Sequence, residues 1–177
     1  MAQQQPVYDI AWLFEINSNG TVPAMKDLAT GEWTTDSGKI VDLLELKFPQ
    51  PELGTVEGSP QVGNDVFPAF TAFLKAPDAE AADKEEAVVA ALTSLNDYLT
   101  QNGPYIGGAN VCATDLGLAP KLYHLKTALK HFKNWEIPAD LTAVHRYINL
   151  WFARDSWKNT QYSEDLVIKG WNRHLGH

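Results

Sequence analysis

The chain has 177 residues, of which 45% are hydrophobic and 20% charged, enough to bury a core in one domain or two small ones, which excludes disordered and collagen-like chains. Its 22 acidic and 14 basic residues leave a formal charge of -8 with no Lys/Arg-rich run, so its surface repels a phosphate backbone and no nucleic acid is expected as a partner. A single cysteine, Cys112, excludes an intramolecular disulfide and a zinc site of several thiolates, and points to a reducing compartment.

The opening stretch, MAQQQPVYDIAWLF, has no basic segment followed by a long apolar one, so no targeting signal is expected. Apolar runs stay far below the ~20 residues of a membrane helix. A soluble, cytoplasmic protein with no membrane partner is the expectation. Asn17-Ser18-Asn19-Gly20 reads as a turn, and the sequon at Asn19 matters only in a secreted chain. Val22-Pro23 then opens a strand, where the proline sits at an edge or in a cis bond that turns the backbone toward a ligand.

Residues 22–36, VPAMKDLATGEWTTD, predict a β-hairpin turning at Thr30-Gly31. Asp36 or Ser37 then caps a helix in which Ile40, Val41, Leu43, Leu44 and Phe48 recur at helical spacing until Pro49 and Pro51 end it. The mouth of that helix has two readings. An Asp/Ser cap stabilises a helix by ~1 kcal/mol and needs no ligand, while free N–H groups and the helix dipole also suit a bound carboxylate.

The proline- and glycine-rich stretch 49–60 predicts a boundary, giving domains 1–50 and 61–177 around a linker at 51–60. Beyond it the periodicity is helical throughout. Phe67, Phe70, Phe73 and Leu74 mark one helix, and Val88, Leu92, Leu95 and Leu99 mark a long one ended by Asn102-Gly103-Pro104. A third starts near Cys112 with Leu116, Leu118, Leu122, Leu125 and Leu129 as a central core stripe, kinked at Pro120. Further helices are expected near 140–153 and 163–174, with short polar turns between them. Residues 1–105 carry 16 acids and 5 bases, whereas residues 106–177 carry 6 acids and 9 bases with all five histidines, which fits two units of different electrostatic character.

In the helical part, Cys112 stands three residues before Asp115, as an N-cap does in a capping box. A helix N-terminus also lowers a thiol pKa, so a reactive thiol is the competing reading. His124 and His131 share a helix face, yet without a third ligand they argue for packing rather than zinc. Trp135, Trp151, Trp157 and Trp171 fall where helices meet turns, and the six tryptophans and seven phenylalanines are expected mostly in the core.

The strings GTVPAMKD, TTDSGKIVDLLELKFPQPEL, FPAFTAFLKA and ATDLGLAPKLYHLKTALKHFKNWEIPADLTAVHRYINLWFARDSWKNT, with IKGW near the end, resemble the glutathione-dependent dehydroascorbate reductases of plants and algae, within the glutathione transferase superfamily. The resemblance runs from about Trp12 to Trp171. It implies an α+β/α chain of glutathione transferase type, with a partial thioredoxin-like N-terminal domain (short β-hairpin plus helix) before an all-α C-terminal domain. It also implies a glutathione site in which Val22, beside a cis Pro23, pairs with the cysteinyl backbone while Asp36 and Ser37 hold the γ-glutamyl end. The activity implied is reduction of dehydroascorbate to ascorbate by two glutathiones, through a thiolate that forms a mixed disulfide with glutathione. Glutathione is then a co-substrate, with no permanent cofactor and no metal, and the protein a monomer.

Two departures stand against that pattern. The family's Cys-Pro-Phe-Ser-like motif, which supplies the nucleophile, is absent from these residues, and Asp9-Ile10 stands where the family carries Lys-Pro. A truncated reductase, with a chloroplast transit peptide among what is missing, and a scaffold that has lost the chemistry both fit. The alternative function is a non-catalytic glutathione transferase-like binding or interaction module.

Overall fold

The computed structural model describes residues 11–54 and 61–176. Asp9, Ile10 and residues 55–60 of the expected linker lie outside the described residues. The chain divides into two compact units, Met1–Leu53 and Gly54–His177.

The first unit runs α1 (Ala11–Ile16), β1 (Met25–Lys26), β2 (Trp33–Thr34) and α2 (Ser37–Lys47). The strands pair antiparallel, Met25 with Thr34 and Lys26 with Trp33. Their turn closes where Gly31 donates its N–H to the Asp27 carbonyl at 2.7 Å. Gly31 holds φ at +79°, a region that a Cβ disfavours. Helix α2 begins on Asp36, whose Oδ1 accepts the N–H of Lys39 at 2.9 Å. It stops at Phe48, because Pro49 has no N–H to extend the ladder. At its last turn the Lys47 ammonium lies 2.6 Å from Asp27 Oδ2 and ties the helix to the hairpin turn.

Of the stripe expected on α2 only Ile40 is buried, while Val41, Leu44 and Phe48 are exposed. Two-residue strands and the six-residue α1 offer too little surface to cover the rest of the helix.

The second unit is helical: α3 (Val66–Lys75), a 3-10 turn (Asp78–Glu80), α4 (Ala81–Asn102), α5 (Ala113–Lys133), α6 (Thr142–Ala153), α7 (Asp155–Thr160) and α8 (Glu164–Leu175). Helix α3 packs on α4 and α5, α4 on α6, and α5 on α8. The core is built from Phe70 and Phe73 of α3, the Val88–Leu92–Leu95–Leu99 stripe of α4, Leu122, Leu125 and Leu129 of α5, and Tyr147 of α6. Each fully buried leucine contributes about 1.5–3 kcal/mol.

Two details differ from the sequence expectation. Leu116 is 38% exposed, because it shares the outer face of α5 with Pro120, four residues on. A proline at i+4 cannot donate to the Leu116 carbonyl, so the helix ladder lacks one bond there. Residues 155–160, expected as a polar turn, form α7, started by Asp155 in its first turn. Among the described residues no helix is long and apolar enough to cross a membrane.

Candidate functional site

In the first unit, the residues around Val22 are held by a clamp centred on Asn17. Its Nδ2 donates to the Thr21 carbonyl at 2.8 Å and to Thr21 Oγ1 at 2.9 Å, while its backbone carbonyl accepts the Gly20 N–H at 2.8 Å. Gly20 sits at φ +61° against Phe14, and a Cβ there would fall 2.4 Å from the ring. The positive φ favours glycine here, and a larger residue would have to displace the Phe14 ring. The chain leaves the clamp into Val22, which is 74% exposed, and the Val22–Pro23 peptide bond is cis. Among the described residues the Val22 backbone makes no hydrogen bond to another backbone group.

Asp36 and Ser37 lie at the other end of the same hairpin segment. Since Met25 faces Thr34, entry through Val22-Pro23 and exit through Asp36-Ser37 fall at the open end of the hairpin, opposite the Asp27–Glu32 turn. Asp36 acts as the N-cap of α2, and its second carboxylate oxygen has no hydrogen bond among the described residues. Next to this end Trp33 carries the Lys26 ammonium 5.6 Å from its ring centre and the Trp12 ring at 5.9 Å. Asp27 is held below its ordinary value of 3.8, first by the Lys47 hydrogen bond and then by the Ala29 N–H, so it stays an anion that anchors the turn.

In the second unit, Cys112 is the N-cap of α5 and is 2% exposed. Asp115, fully buried, reaches back to the Cys112 N–H at 2.9 Å. The same carboxylate accepts the N–H of Ile106 at 2.9 Å, the N–H of Gly107 at 3.2 Å and the Tyr147 hydroxyl at 2.9 Å. Four donors satisfy one buried charge, as such a charge requires. Burial, and then the Asp115 charge, push the Tyr147 phenol above its ordinary value of 10.0, so it remains a donor. A cysteine enclosed in this way has no access to a substrate.

His124 and His131 do not converge. His131 stacks edge-on against Phe132 at 4.6 Å, whereas His124 accepts the Trp171 indole N–H on Nδ1 at 3.0 Å and meets the Tyr162 hydroxyl through Nε2. Burial lowers the His124 pKa below 6.5. Among the described residues no group of three or more His, Cys, Asp or Glu could hold a metal ion. The partners of His124 lie 38 and 47 residues away, beyond the reach of any local periodicity, and so does the Tyr147 partner of Asp115. Sequence spacing offered no signal for either.

The family described as glutathione S-transferase, C-terminal domain, matches residues 78–154. The chain is 44% identical over 161 residues to glutathione S-transferase DHAR2 of Arabidopsis thaliana, covering 90% of this chain and 74% of that protein. It is 42% identical over 160 residues to a glutathione S-transferase DHAR1 of Oryza sativa subsp. japonica, named as cytosolic, with the same coverages. The crystal structure of Chlamydomonas reinhardtii dehydroascorbate reductase superposes with a TM-score of 0.82 at 42% identity, over 93% of this chain and 77% of that one. An alignment of 161 residues is longer than either unit, so the likeness spans both.

Proposed function

The chain belongs to the dehydroascorbate reductase family of the glutathione S-transferases, and from that premise we propose that it serves glutathione-dependent reduction of dehydroascorbate to ascorbate. The observation that carries this reading is the likeness to the Chlamydomonas reductase in sequence and backbone together. In the overall reaction two glutathiones lose two electrons and two protons and join through a disulfide, and dehydroascorbate takes both up to become ascorbate.

Within that reaction, residues 1–50 are the glutathione-binding part. The exposed Val22 backbone, beside Pro23, pairs with the cysteinyl backbone of glutathione. The free Asp36 oxygen takes the γ-glutamyl ammonium, while the Ser37 hydroxyl and the first N–H groups of α2 take its carboxylate, where the helix dipole favours an anion. The step that forms a mixed disulfide needs an accessible thiolate. Cys112, capped and buried, does not provide it, so these residues bind the peptide and do not supply the attacking sulfur. We place the protein in the cytoplasm as a monomer. The burial of Cys112 also favours a second reading, a glutathione-binding module without turnover.

Calorimetric titration with glutathione tests the site. Saturable binding that Asp36→Ala weakens about tenfold is expected, and absence of saturable binding in the folded chain overturns it. Ascorbate formation from dehydroascorbate, followed in parallel, separates the two readings. Whatever rate is found is expected to survive Cys112→Ala, and its loss in a folded variant would return the chemistry to Cys112. Glutathione binding with no turnover selects the second reading.

A further inference from the structure

In the second unit the C-terminal part of α5, the loop after it and α6 line a cavity of about 300 Å³, at the lower end of the range of small-molecule sites. Ile137 and Ile148, both buried, supply its apolar wall. The loop is held on both sides. Trp135 donates its indole N–H to Glu85 of α4 at 2.9 Å, and His145 of α6 bonds the Pro138 carbonyl through Nε2 at 3.0 Å. A carbonyl only accepts, so Nε2 carries a proton and ties the loop to α6.

The polar lining consists of Lys126 and Lys130 of α5, Glu136 of the loop, and His145 and Asn149 of α6. The two lysines stand four residues apart and share a helix face. The Lys130 ammonium lies 2.9 Å from Glu136 Oε1, whereas Lys126 has no carboxylate of its own among the described residues and stands 5.9 Å from the Phe152 ring centre. Glu136 is held below its ordinary value of 4.5, first by the Lys130 hydrogen bond and charge and then by Lys126, so both ammoniums bear on one carboxylate. Two cations against one anion leave the cavity positive in a chain whose net charge is -8. A wider hollow along α6, which shares His145 and Asn149, adds Arg146. Paired ammoniums suit a phosphate, and a phosphate monoester carries about 1.5 to 2 negative charges near pH 7. The second oxygen of Glu136 and the Asn149 amide, an acceptor and a donor, suit hydroxyl groups.

We propose that this cavity binds the phosphate monoester of a small polyol, its phosphate held by the Lys126 and Lys130 ammoniums and its hydroxyls bonded to Asn149 and Glu136. The probe is glycerol 3-phosphate, titrated calorimetrically into the whole chain, with inorganic phosphate and glycerol as its two halves.

One-to-one saturable binding of the ester, weaker binding of inorganic phosphate and no binding of glycerol are expected. Lys126→Met, which keeps the apolar stem, should weaken the ester about tenfold. Asn149→Ala should weaken the ester while leaving inorganic phosphate unchanged, because the amide meets the polyol and not the phosphate. Both side chains are exposed, so neither change disturbs the core, and circular dichroism confirms that each variant is folded. Lys169→Met, on the exposed face of α8 and outside the lining, should bind as wild type does. No saturable binding of the ester, equal affinity for ester and inorganic phosphate, unchanged affinity in Lys126→Met, or an equal loss in Lys169→Met would each overturn the proposal.

Discussion

In the proposed glutathione site Asp36 would have two tasks, because a carboxylate has two oxygens and the helix cap occupies one of them. The tasks separate by substitution. Asparagine caps a helix as well as aspartate does, so Asp36→Asn should keep the stability of α2 while losing the charge that meets an ammonium. Asp36→Ala should lose both, with about 1 kcal/mol from the cap. Urea unfolding beside glutathione titration reads the difference, and equal glutathione affinity in both variants and wild type would remove Asp36 from the site. Asp115 has a single, structural task. Asp115→Ala leaves three backbone N–H groups and the Tyr147 hydroxyl without their acceptor in the core. The expected loss is about 3 kcal/mol or more, against about 1–2 kcal/mol for Tyr147→Phe, measured as the shift in urea midpoint at unchanged slope. The capping-box spacing of Cys112 and Asp115 was legible, since it is a matter of three residues. The fourth donor was not, because Tyr147 arrives from another helix.

At the scale of elements, the attachment of α8 to α5 depends on the charge state of His124. Its Nδ1 accepts the Trp171 N–H only in the neutral ring, and burial lowers its pKa below 6.5. The folded state therefore binds fewer protons than the unfolded chain just below that pH. The contribution to stability is complete above about 6.5 and is lost as pH falls through that value toward the lower folded one. Urea midpoints should thus fall between about pH 7.5 and pH 5, and His124→Gln, which does not titrate, should flatten this part of the slope. An identical slope in both proteins would show that His124 does not govern the docking of α8. The positions of the longer helices were readable from caps, prolines and the 3.6-residue period, whereas α1 and α7, six residues each, are too short to show a period. Which face of α5 turned outward was not readable, since Leu116 is as apolar as Leu118 and only the neighbouring helices decide which one they cover.

For the whole molecule, the distribution of the core separates the two units. Of the buried apolar side chains described, only Leu13 and Ile40 belong to the first 53 residues, while the helical unit has its own interior. Residues 54–177 expressed alone should unfold cooperatively with helical circular dichroism, whereas a chain of about 50 residues with so little burial should not fold by itself; a non-cooperative transition in residues 54–177 would contradict this. The sequence by itself determined the longer helices, the hairpin turn, the caps of α2 and α5 and the family resemblance, though not the six-residue α1 and α7, because turns, caps and periodicity act over a few residues and leave their mark in local order. Tertiary structure alone decided that Cys112 is enclosed, that Asp115 meets Tyr147, and that His124, Trp171 and Tyr162 form one cluster. Those contacts join positions tens of residues apart, and only the packing of whole helices brings them within hydrogen-bond reach.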